Sequence, residues 1–72
     1  MDIYAEVLAQ AKKGVTKTRI MYKANLSFFL LKKCLKELTS LRLIETQKAL
    51  YKTTATGLRF LVLYDEIKSL VS

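Results

Sequence analysis

SFFLLKKCLKELTSL, residues Ser27–Leu41, is the stretch on which the reading of the whole chain turns. Laid on a helix at about 100° per residue, Leu31, Cys34, Leu35 and Leu38 share one face, with Phe28, Leu30 and Leu41 at its margins. Lys32, Lys33, Lys36, Ser40 and Phe29 share the opposite face. An apolar inner side is what any helix of a globular domain requires. An outer side with three cations, an aromatic ring and no acid is unusual, because surface helices ordinarily interleave signs. Such a face suits a polyanion.

Charge over the whole chain points the same way. The net charge is +7, and its distribution carries more information than its size. Residues 1–36 hold eight cations and two acids, a net +6; residues 37–72 hold five cations and four acids, a net +1. Between Glu6 and Glu37 there is no acid at all, only Lys12, Lys13, Lys17, Arg19, Lys23, Lys32, Lys33 and Lys36. A basic half joined to a near-neutral half is the electrostatic footprint of nucleic-acid binding.

Seventy-two residues make one domain, 1–72, with no linker, repeat or low-complexity segment. A core that small is marginal, so oligomerisation is expected. No apolar run approaches the roughly 18 residues of a membrane span. Asp2 stands where a signal peptide would be basic, so the sequence predicts a cytoplasmic protein with no membrane partner, and the nucleic-acid footprint makes it nucleoid-associated. One cysteine and no histidine leave no cysteine-based metal cluster and remove the commonest general base. Phosphate-loop glycines and a nucleophile–base pair are also missing, so no enzyme, cofactor, metal or small-molecule ligand is expected.

Upstream of Ser27, Asp2 can cap a first helix of about residues 2–13, with Ile3, Val7, Leu8 and Ala11 inward. Lys12 and Lys13 suit its last turn, and Gly14 suits the position after it. Thr16 can cap a short second helix, residues 17–24, with Ile20 in the core. Asn25-Leu26-Ser27 is then a tight connection in which Leu26 plugs the core and Ser27 caps helix three. Helix, short turn, helix is a helix-turn-helix unit.

Downstream, residues 43–46 and 50–53 read as two short strands joined through Gln47, Lys48 and Ala49. Thr53 or Thr54 then caps a last helix ending near Val71. Its apolar residues form two groups: a core patch of Leu58, Leu61 and Val62, and a stripe of Phe60, Leu63, Tyr64, Ile67, Leu70 and Val71 with coiled-coil spacing. One isolated domain needs a single buried face, so the stripe predicts a homodimer through the C-terminal helix. The predicted fold is mainly α, an α+β winged helix: a three-helix core and hairpin wing within residues 1–53, and a dimerisation helix over 54–72.

The segments GVTKTRIMYKANLSFFLLKKCLKEL, LRLIE and LYKTTATGLRFL resemble the small archaeal winged-helix regulators, a family that includes chromatin-associated proteins dimerising through a C-terminal helix. The resemblance rests on Thr18–Met21, Asn25–Ser27, Leu43–Glu45 and Thr54–Gly57 and covers about residues 1–64. Arg42 stands where that family usually has the glycine ending helix three, and Thr56 where it usually has lysine. The resemblance implies binding of double-stranded DNA by helix three and the wing.

On this reading Ser27, Phe29, Lys32 and Lys33 lie nearest the bases, because the N-terminal part of a recognition helix reads their edges. Phe29 suits an apolar contact to a thymine methyl. Lys17, Thr18, Arg19, Lys23 and Lys36 meet the phosphate backbone, and Lys48 reaches it, or the minor groove, from the wing. Arg19 could instead pair with Glu37 or Glu45. Tyr22 and Tyr51 read as half-buried and Cys34 as a small core residue. The function predicted is transcriptional regulation. The alternatives are an architectural DNA coater without sequence preference and a protein-interaction module, the latter disfavoured by the acid-free run.

Overall fold

The residues from Phe28 to Ser40 form a helix in the computed structural model, which describes residues 2–71. In chain order the elements are α1 (Asp2–Gln10), β1 (Val15–Thr16), α2 (Lys17–Ala24), α3 (Phe28–Ser40), β2 (Ile44–Gln47), β3 (Leu50–Thr53) and α4 (Ala55–Val71). The strands form an antiparallel sheet in the order β1-β3-β2. This is the α+β architecture of a winged helix with a C-terminal helix added.

Local chemistry sets most of the helix ends. The Thr16 hydroxyl accepts from the Arg19 N–H at 3.3 Å, and the Ser27 hydroxyl accepts from the Leu30 N–H at 3.1 Å. Thr54 caps α4, its hydroxyl accepting from the Gly57 N–H at 3.0 Å and donating to the Arg42 carbonyl at 2.7 Å. Asn25 closes α2 in the left-handed conformation, φ 54°. The predicted Asp2 cap rests on a side chain outside what is described, and α1 already begins at Asp2 itself. Helix one is shorter than predicted and stops at Gln10. Lys12 and Lys13 lie in the following turn, which Gly14 closes at φ 91°, a value that suits a residue without a Cβ.

The core joins α1 (Ala5, Val7, Leu8), Ala11 beyond it, Ile20 of α2, Leu31, Cys34, Leu35 and Leu38 of α3, Leu43, Ile44 of β2 and Leu61 of α4. The inner face predicted for helix three is therefore the buried one. Its predicted margins are not: Phe28 and Leu41 are largely exposed. Thr53 ties the sheet to α1, its hydroxyl donating to the Leu8 carbonyl at 2.5 Å and its N–H to the Ala11 carbonyl at 2.9 Å. Leu8 lies in the last turn of α1 and Ala11 just beyond it, where helical partners run out.

Two features differ from the sequence reading of the wing. The hairpin closes through Lys48 and Ala49 alone, because Gln47 pairs with Leu50, and Lys48 takes the positive φ of 60° that Asn or Gly would normally supply. A third strand, β1, was not foreseen; Val15 and Thr16 pair with Tyr51 and Leu50. It runs straight into α2 and pins the first residue of that helix beside the wing.

The last helix is rotated from the sequence expectation. Leu58 and Val62, assigned to the core, are 42% and 57% exposed, whereas Phe60 and Tyr64, assigned to the outer stripe, pack against the core. Their rings stack with centroids 6.3 Å apart. The cause is Gly57. A Cβ there would stand 2.1 Å from the Leu43 carbonyl oxygen and 2.6 Å from Thr53 Cγ2, so the glycine face is the one pressed onto the chain. Leu63, Ile67, Leu70 and Val71 remain exposed.

Candidate nucleic-acid interface

Alternation along the hairpin creates one wall of the site. In a strand, residues two apart share a face. Ile44 and Thr46 therefore share one, as do Tyr51 and Thr53, and the cross-strand pairs are Ile44–Thr53 and Thr46–Tyr51. The first pair is buried at the base of the wing. The second continues the same face outward and lines a groove between the wing and α3.

That groove has a volume of about 730 Å³ and is lined by Lys17, Phe29, Lys32, Lys33, Leu35, Lys36, Thr39, Ser40, Thr46 and Tyr51. Four of these are lysines and none is an acid. Lys17 comes from α2 and reaches the groove because β1 anchors the start of that helix to β3. Phe29, 78% exposed, offers a bare ring from the first turn of α3.

The acids nearby are turned elsewhere. Glu37 accepts a hydrogen bond from the Tyr4 hydroxyl of α1. That bond, then burial and the charge of Glu37, push the Tyr4 phenol up from 10.0 to about 12. Glu45 pairs across the hairpin with Lys52 on the face opposite Thr46 and Tyr51. The groove thus keeps its positive charge uncompensated from within.

Of the predicted site residues, the fold gathers Phe29, Lys32, Lys33, Lys36 and Lys17 in this groove. It does not gather the rest. Thr18, Arg19 and Lys23 are exposed on α2, Lys48 is exposed at the hairpin tip, and the Ser27 hydroxyl serves α3 as its cap. Tyr51 is half-buried as expected, but Tyr22 is 76% exposed, a correction to the sequence reading. Ser40, expected on the outer face of this helix, lines the groove as well, and Thr39, Thr46 and Tyr51 join it without having been assigned to it.

Phe28 was also missed. Its ring takes the Lys32 ammonium at 5.5 Å from its centroid and the Lys17 ammonium at 5.7 Å. The first contact has a signal in the sequence, since residues four apart on a helix are neighbours. The second joins two helices and has none.

Cys34 is buried on the inner side of α3, and its thiol is pushed up to about 11, by burial first and by the charge of Glu37 second. It is a packing residue. Among the described residues no group of three His, Cys, Asp or Glu could hold a metal ion, and no helix is long and apolar enough to cross a membrane.

The family profile described as winged helix-turn-helix matches residues 1–72. No curated protein matches the chain. Winged helix-turn-helix domains are DNA-binding domains and not typically enzymes, so the match suggests double-stranded DNA as a partner.

Proposed function

The chain belongs to the winged helix-turn-helix family, and on that premise we propose that it is a homodimeric transcriptional regulator acting on double-stranded DNA in the cytoplasm. Residues 1–72 act as one domain, with α3 in the major groove and the wing on the adjacent backbone. The observation that carries this reading is the acid-free groove between α3 and the wing, with four lysines along it. Lysine and arginine dominate contacts to the phosphate backbone, which supplies most of the affinity of such interfaces.

Ser27, Phe29, Lys32 and Lys33 meet the duplex from the first two turns of α3. Phe29 is suited to a thymine methyl, an apolar feature of the major groove. Lys36 at the far end of the helix, Lys17, Thr18, Arg19 and Lys23 on α2, and Lys48 on the wing tip meet phosphates. The dimer seam is the exposed row Leu63, Ile67, Leu70 and Val71, with Phe60 and Tyr64 contributing only their outer edges.

One observation favours a second reading, an architectural protein that coats DNA without sequence preference. The groove lining contains no Arg, Asn or Gln, and Arg, Asn and Gln make the commonest bidentate contacts to G and A edges. Selection of bound sequences from a random duplex pool separates the two. A regulator enriches a partly palindromic motif, since a two-fold dimer presents two α3 helices to one duplex. Retention of the pool without enrichment supports the coater. No retention at low salt contradicts both and supports a protein-interaction module.

A further inference from the structure

Phe28 sits at the first position of α3 and is more than half exposed. It does not line the groove. Yet two residues that do, Lys17 and Lys32, both hold their ammonium groups over its ring, at 5.7 and 5.5 Å from the centroid. Both distances lie within the roughly 6 Å over which the negative face of a ring attracts a cation. The separation of the two ammonium groups therefore cannot exceed the sum of those distances, although they come from different helices and like charges repel.

We propose that Lys17, Phe28 and Lys32 form a phosphate clamp, in which Phe28 is a positioning residue that gathers one cation from α2 and one from α3 onto a single stretch of DNA backbone. The proposal rests on the duplex-binding reading above and deepens it. An ammonium on a four-carbon stem ordinarily loses much rotamer freedom when it docks. A ring that already holds both stems in place removes part of that loss before the ligand arrives. The ligand is a phosphodiester, because its charge relieves the repulsion between the two cations. Lys32 is thereby a backbone contact, not the base reader that its place on the helix first indicates.

The test compares the unmodified protein with Phe28→Leu, Phe28→Tyr, Lys17→Ala and Lys32→Ala on several unrelated duplexes over a range of salt. Phe28→Leu keeps an apolar side chain and both charges but loses the quadrupole. It should weaken binding by about three- to tenfold, equally on every duplex, with the slope of log affinity against log salt unchanged. Each lysine variant should reduce that slope by roughly 0.9, and Lys32→Ala should cost less affinity in the Phe28→Leu background than alone. Phe28→Tyr should restore binding. In the free protein, proton NMR should place the ε-methylene signals of Lys17 and Lys32 upfield through the ring current, and Phe28→Leu should abolish the shift.

Parental affinity in Phe28→Leu, a loss confined to one duplex, or unshifted lysine signals would overturn the clamp while leaving DNA binding intact. Failure of the unmodified protein to bind any duplex at low salt would overturn the DNA reading and the clamp together.

Discussion

Gly57 shows how much one missing methyl group can decide. Its obstacle is not conformational, since its backbone is helical; it is the Leu43 carbonyl oxygen, 2.1 Å from where a Cβ would stand. Thr54, which caps the same helix, donates its N–H to that carbonyl at 3.0 Å, so the oxygen cannot move away freely. Gly57→Ala should therefore destabilise the protein by about 3 kcal/mol, at the upper end of overpacking costs. For a domain of this size that lowers the Tm by more than about 10 °C; an unchanged Tm would mean that α4 is not seated on Leu43. Tyr4 offers a second test. Its raised phenol pKa means that the folded chain holds this proton more tightly than the unfolded chain. The resulting stability is complete below pH 10 and is lost as pH rises through about 12. Tyr4→Phe should flatten that alkaline decline relative to the parent in urea titrations between those limits. Identical declines would show that the hydroxyl does not engage Glu37.

At the scale of elements, α2 and α3 stop by the same device. The Leu26 and Asn25 N–H groups donate to Met21 and Tyr22, and the Leu43 and Arg42 N–H groups donate to Leu38 and Thr39. This double bond pattern requires a left-handed residue at the exit. Asn25 suits that role; Arg42, at φ 60°, does so at a cost. Arg42→Gly should relieve the strain and raise stability by up to about 1 kcal/mol, after the added freedom of the unfolded chain is subtracted. A fall in stability would show that the arginine side chain makes a contact that matters more than its backbone. Thr16 and Ser27 were legible as caps, and Thr54 as one of two candidates with Thr53, because capping is settled within three or four residues. So was the buried face of α3, from its periodicity. Strand β1 was not, because two residues carry no period and their partners Tyr51 and Leu50 are far along the chain. The rotation of α4 was not legible either. Its sequence offers two apolar faces, and the choice between them rests on Gly57 meeting Leu43 and Thr53 in space.

The whole molecule measures 36 × 24 × 20 Å, and every residue of α4 from Asp65 to Val71 is exposed. The last turns of that helix bring Ile67, Leu70 and Val71 into water, an apolar row of the kind that marks an interface. If it pairs two chains as proposed, Ile67→Glu should give a folded monomer with much weaker DNA binding, which sedimentation velocity would detect. A monomeric parent at tens of micromolar would remove the dimer and the palindromic site that follows from it. In the proposed DNA interface, the three lysines and the phenylalanine of α3 could be placed from the sequence, since one helix carries them. Lys17 was assigned to the phosphate backbone from the sequence, but its convergence on the groove, like that of Thr46 and Tyr51, depends on β1 and the wing folding back against α3.

The central claim is that the lysine groove between α3 and the wing is the surface that meets the duplex. It is tested most directly by the salt dependence of binding to a random-sequence duplex, for the parent and for Lys33→Ala/Lys36→Ala. Both lysines line the groove and both are exposed, so folding stability should not change. The parent should bind with a steep slope of log affinity against log salt, and the double variant should lose affinity, with roughly 0.9 of that slope lost through the phosphate contact of Lys36. A double variant that keeps the parental slope and affinity would place the duplex on another face of the molecule.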